Sequence, residues 1–98
     1  MINAKQRAYL RGLANKMTEV MQIGKDGAKE TTYEAVENLL EARELIKIKV
    51  LQNCDYSARE IADEISENIG CDVVQVIGNK FVLYRKSSKE KVKHLLEE

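Results

Sequence analysis

The chain has 98 residues, 44% hydrophobic and 33% charged, with 16 lysine and arginine side chains balanced by 16 aspartates and glutamates. That length and composition fit one domain over residues 1–98, with 86–98 as a tail or short helix; they exclude a disordered or fibrous chain and leave too little sequence for two cores. The zero net charge conceals segregation: residues 1–29 carry six basic and two acidic groups, residues 30–75 four and eleven, and residues 76–98 six and three.

In chain order, Asn3 with Gln6 is a capping-box signature, and Leu10, Leu13 and Met17 recur at helical spacing, so a first helix is expected over residues 3–16. Arg7 and Arg11, four apart, share one face of it. Residues 20–23 are a short apolar run stopped by Gly24, which reads as a buried strand. Residues 30–43 place Val36, Leu39, Leu40 and Arg43 at the helical period against Glu34, Glu37 and Glu41, an acidic solvated face, with Thr31 and Glu34 as a candidate cap. Residues 45–51 alternate, with Ile46, Ile48 and Val50 set against Lys47 and Lys49, so a strand is expected whose lysines face away from the core of those three residues.

Ser57 with Glu60 opens a helix with the stripe Ala58, Ile61, Ala62, Ile65 and Ile69, closed by Gly70. Residues 73–77 and 81–85 are apolar strands joined by Gly78-Asn79, a primed hairpin turn. Ser87 with Glu90 marks a possible final turn carrying Val92, Leu95 and Leu96. The order α-β-α-β-α-β-β implies an α/β fold, a two-layer sandwich with a small mixed four-stranded sheet, in which helical crossovers give parallel pairings and the hairpin an antiparallel one.

Chemistry is sparse. Cys54 and Cys71 are far apart without a CxxC, and His94 stands alone, so no zinc set, disulfide framework or nucleophile–base pair is expected. The reading is therefore two reduced thiols, no cofactor, no metal and no enzyme. No apolar run reaches the roughly 20 residues of a membrane span, and residues 1–11 lack a signal-like apolar stretch, so a cytoplasmic monomer is expected. The remaining motif is Gly24-Lys25-Asp26-Gly27, two glycines three apart between a strand and a helix. Such a loop lets a backbone approach a sugar-phosphate chain closely and presents free N–H groups to anions, the arrangement by which KH domains clamp nucleic acid. A turn that simply needs two unstrained glycines explains the same pattern.

Five blocks, Lys5-Gln6-Arg7, Tyr9 to Ala14, Ile23 to Gly27, Glu44 to Val50 and Val74 to Arg85, resemble successive blocks of the YhbY family, the stand-alone bacterial form of the CRM (chloroplast RNA splicing and ribosome maturation) domain, over residues 2–86. The resemblance implies a fold similar to the C-terminal domain of translation initiation factor three and RNA, in particular large-subunit ribosomal RNA or pre-ribosomal particles, as partner. It places RNA contact at Gly24, Lys25, Asp26 and Gly27, with basic support from Arg7, Arg11, Lys47, Lys49 and Arg85. Asp26 departs from the usual asparagine and sets a carboxylate beside the phosphate path; Glu19, Asn15-Lys16 and Lys86 depart as well. The alternative reading is a protein-interaction module of the same fold with little RNA affinity.

Overall fold

The computed structural model describes residues 1–89 and 92–96. Helix α1 (Ala4–Ala14) starts where the sequence signals it: the Asn3 side chain accepts from the Gln6 amide at 2.8 Å, and the Gln6 side chain accepts from the Asn3 amide at 2.9 Å. Strand β1 (Met21–Ile23) leads through the glycine loop into α2 (Glu30–Arg43), which passes directly into β2 (Leu45–Val50). Helix α3 (Ala58–Ile69) has the expected reciprocal cap between Ser57 and Glu60 and ends on Gly70 in the left-handed region. The hairpin β3 (Asp72–Ile77) and β4 (Lys80–Tyr84) turns at Gly78, whose φ is +58°. With Asn79 at negative φ, this is the signature of the II′ member of the primed turns.

The sheet order is β1-β2-β4-β3, parallel between β1 and β2 and antiparallel elsewhere. β4 thus inserts between the two strands joined by α3, and the sheet is mixed as expected. The sheet and the α2–α3 pair form a two-layer sandwich around Ile46, Ile48, Phe81 and Leu83 with Val36, Leu40, Ile61 and Ile65. α1 lies across the other face as a partial third layer, burying Leu10 and Ala14 against Leu45, Val74, Val82 and Tyr84.

A bulge between Val73 and Gln75 in β3 reverses the alternation downstream. Val76 therefore turns with Phe81 to the α2–α3 core, while Gln75 and Ile77 turn to the α1 side, and Ile77 is left exposed. Three other expectations change. The cap of α2 is Lys29, whose amide donates to Thr32 Oγ1 at 3.1 Å, rather than Thr31. Glu37 and Glu41 are not simply solvated, because both pair with Arg85 and Glu41 also accepts from Ser88. Residues 92–96 form no helix; Leu95 and Leu96 pack on the α1-side core, and Glu90, the expected capping partner of Ser87, lies outside the described residues.

Candidate nucleic-acid interface

The 24–27 loop closes as a turn, the Gly27 amide donating to the Gly24 carbonyl at 3.0 Å. Its two glycines have different reasons to be there. Gly27 sits at φ +71°, and a Cβ there would come within 3.0 and 3.2 Å of the Tyr56 ring carbons Cδ2 and Cε2, so the fold itself demands glycine. Gly24 is outside the left-handed region, and a Cβ there would meet nothing closer than 3.8 Å, at Asn53 Oδ1 and Leu51 Cδ1. Among the described residues nothing requires glycine at 24.

One side of the loop is an open depression of about 380 Å³ whose lining includes Lys25, Lys29, Thr31 and Thr32. It lies at the start of α2, where the first amides have no carbonyl partner within the helix. Lys25 and Asp26 project into solvent, and Asp26 Oδ2 pairs with Lys29 Nζ at 3.0 Å, so the carboxylate that interrupts the positive charge is itself partly neutralised. The other side is the connection from β2 to α3, held against β1 by the Leu51 amide donating to the Ile23 carbonyl at 2.8 Å. Asn53 stands beside Gly24 and Tyr56 beside Gly27.

Lys47 and Lys49 project from the α1-side face of the sheet, opposite Val82 and Lys80, and Gln22 stands beside Lys49 on β1. This lysine-bearing face leads along β1 and β2 to the glycine loop, which follows Ile23 directly. Lys80 is paired with Glu19 at 3.0 Å, and hydrogen bonding from Lys80 holds the Glu19 carboxyl below the usual carboxylate range against the opposing effect of burial. Arg11 is exposed on α1.

Arg7 and Arg85 are placed differently from the lysines. The Arg7 guanidinium, half-buried, donates to the carbonyls of Val73 and Val74, tying α1 to β3. Arg85 donates to Ile69 O at 3.0 Å and pairs with Glu37 and Glu41. It follows the end of β4 that pairs with Leu45, about 20 Å along the strands from the glycine loop. Sequence reasoning put these two arginines with the loop lysines; the fold uses them as internal ties.

The chain matches the CRS1 / YhbY (CRM) domain over residues 2–85. It belongs to the CRM family. A Bacillus subtilis relative, named as probable RNA-binding protein YqeI, is 38% identical over 91 residues, covering 93% of this chain and 95% of that protein. A Haemophilus influenzae RNA-binding protein is 34% identical, covering 93% and 92%. The solution structure of a Staphylococcus aureus protein, described as a candidate RNA binder, superposes with a TM-score of 0.77 at 41% identity, covering 96% of this chain and 99% of that one.

Within this CRM domain the described residues contain no cluster of metal-ligating groups and no helix long and apolar enough to cross a membrane. Both cysteines are free, and burial pushes the Cys71 thiol up to about 11, which keeps it protonated and unreactive. The residue the sequence hid best is Glu44. It is fully buried and sits at φ +66°, and its carboxylate accepts from the amides of Ser87 at 2.7 Å and Leu95 at 2.8 Å and contacts His94 Nδ1. Burial pushes its carboxyl up, but the hydrogen bonds from His94, Ser87 and Leu95 outweigh that and hold it below the usual range. Lys29, Lys80 and Tyr56 were also missed. Lys29 alone had a local signal, two positions beyond the second glycine.

Proposed function

We propose that this protein binds ribosomal RNA of the large subunit and acts as an accessory factor in that subunit's assembly. The phosphate chain passes over Gly24 and its neighbouring amides, with Lys25 beside it and Lys47, Lys49 and Arg11 flanking the path. Asp26, inside the loop, weakens the contact without abolishing it because Lys29 balances its charge. Arg7 and Arg85 contribute by holding the α1 and β4 ends of the fold.

The observation that carries this reading is Gly24. A position with room for a Cβ and an ordinary φ has no internal need for glycine, whereas close passage of a sugar-phosphate backbone supplies one. The family and the names of the relatives point to the same partner class.

The test is titration of the full chain with large-subunit ribosomal RNA and with small-subunit ribosomal RNA, at low and physiological salt. Tighter binding to the large-subunit RNA that survives physiological salt is expected. Equal binding to both would reduce the reading to general RNA affinity, and absence of binding to either would leave a protein-interaction role in its place.

A further inference from the structure

We propose that Tyr56 is a nucleobase platform: an unstacked base of single-stranded RNA lies on its ring while the adjoining phosphate sits at the 24–27 loop. This rests on the RNA-binding reading above and adds to it the part of the nucleotide that the second wall of the loop receives.

Tyr56 lies so close to Gly27 that a Cβ at 27 would reach 3.0 Å from its Cδ2, yet the residue is 51% exposed. The Cδ2–Cε2 side of the ring therefore sits against Gly27, while about half of the residue is exposed. Among the described residues its hydroxyl makes no hydrogen bond, unlike that of Tyr33, which donates to Glu64 at 3.0 Å. The hydroxyl therefore provides no tie to the rest of the fold. A large ring that turns about only two side-chain torsions offers contact area at small entropic cost.

Charge then sorts the two sides of the loop. Residues 51–58 contain no lysine or arginine and include the exposed Asp55 next to Tyr56, so this wall repels phosphate. Lys25, Lys29 and Asp26 line the opposite side, and with Asp26 paired to Lys29 the positive charge left over there is that of Lys25. A strand laid across the loop is thereby oriented, with its phosphates towards the lysines and its bases towards the tyrosine. Aromatic stacking on a base is indifferent to sequence because every base has a π face, which suits a site built from backbone amides and lysine heads. Gly27 acquires a second role in this arrangement, since a Cβ there would crowd the ring and shift it from its seat.

The experiment uses the full chain with a short single-stranded oligoadenylate and with a sugar-phosphate chain of the same length lacking bases. Wild-type protein is expected to bind the first about five- to a hundredfold more tightly. Tyr56→Phe should retain that ratio, and Tyr56→Ala should bring it close to one while leaving the salt-dependent binding of the base-free chain unchanged. Because removing the ring could loosen the loop, Tyr56→Trp gives an independent reading in a chain that has no tryptophan of its own. Its fluorescence should be quenched by oligoadenylate and not by the base-free chain. An unchanged ratio in Tyr56→Ala, or equal quenching by both ligands, overturns the platform while leaving the phosphate contact standing. Failure of the wild-type protein to bind either ligand while it binds large-subunit ribosomal RNA overturns the platform alone, and failure to bind that RNA as well overturns the RNA reading and the platform together.

Discussion

At the scale of single residues, the two glycines of the loop separate fold from function. Gly27→Ala places a side chain at φ +71° and drives its Cβ into the Tyr56 ring, which should destabilise the protein by about 1–2 kcal/mol from the backbone alone and lower its melting temperature by about 5–10 °C. Gly24→Ala meets no close atom, so its melting temperature should stay within about 2 °C of wild type while RNA affinity falls. Thermal melts and RNA titrations on both variants check this, and a Gly24→Ala protein with unaltered affinity would remove the close approach of phosphate at that position. Asp26 is the next residue to examine. Asp26→Asn removes a carboxylate from the loop and releases Lys29 from its ion pair, both of which favour phosphate. Affinity should rise roughly two- to fivefold at low salt, the worth of a single exposed charge near a helix start. The cap residue of α2 is Lys29 rather than Asp26, so asparagine at 26 should leave the melting temperature nearly unchanged.

At the scale of elements, the junction between α2 and β2 governs the far end of the molecule. Glu44 leaves α2 without the glycine that usually ends a helix, at a backbone cost of about 1–2 kcal/mol, and the carboxylate this turn buries fastens the amides of Ser87 and Leu95. Because the folded carboxyl is held below its ordinary value, its ionised form stabilises the fold fully above about pH 4.3, the unfolded glutamate value, and that contribution is lost as pH falls through the lower folded value. Melting temperature followed from pH 7 down to about pH 3 should therefore drop, and Glu44→Gln should lower it at pH 7 and flatten part of the acid limb. An unchanged acid limb in that variant would assign the loss to Glu41 and Glu19, also held low mainly by hydrogen bonds from Ser88 and Lys80 respectively, rather than to Glu44. The same junction shows what sequence can express. The caps at Asn3–Gln6 and Ser57–Glu60, the Ile46, Ile48 and Val50 alternation and the Gly78-Asn79 turn are local, and each was legible because its partners lie within a few residues. Glu44 with Leu95, Arg7 with Val73 and Arg85 with Glu37 are joined across 51, 66 and 48 residues, where no periodicity records the contact. The glycine loop was readable for the same local reason, while Tyr56, brought beside Gly27 from across α2 and β2, was not.

At the scale of the whole molecule, a chain of zero net charge binds a polyanion only if its cations are gathered on one surface, and the fold decides which cations those are. Arg7 and Arg85 are drawn into internal ties, and Lys80 is matched by Glu19, so among the described residues the cations left facing solvent near the loop path include Lys25, Lys47, Lys49 and, on α1, Arg11. Four or five phosphate contacts on a single strand predict a slope of about −3 for the logarithm of affinity against the logarithm of salt concentration. Two charge reversals then distinguish the cations that bind RNA from those that hold the fold. Lys49 stands directly opposite Lys80 in the antiparallel pair and near Glu19, whose carboxyl its charge helps hold low, so Lys49→Glu exchanges repulsion from Lys80 for attraction and attraction to Glu19 for repulsion; the two offset, and the melting temperature should change little while RNA affinity falls and the salt slope becomes shallower by about one or more. Arg7→Glu removes the donor to the Val73 and Val74 carbonyls and places a carboxylate against them, so it should destabilise the fold by about 2–3 kcal/mol and leave the salt slope of the remaining folded protein unchanged. Binding measured across a salt series below each variant's melting temperature separates the two effects. A slope reduced by Arg7→Glu and untouched by Lys49→Glu would move the RNA path off the sheet lysines and onto the first helix.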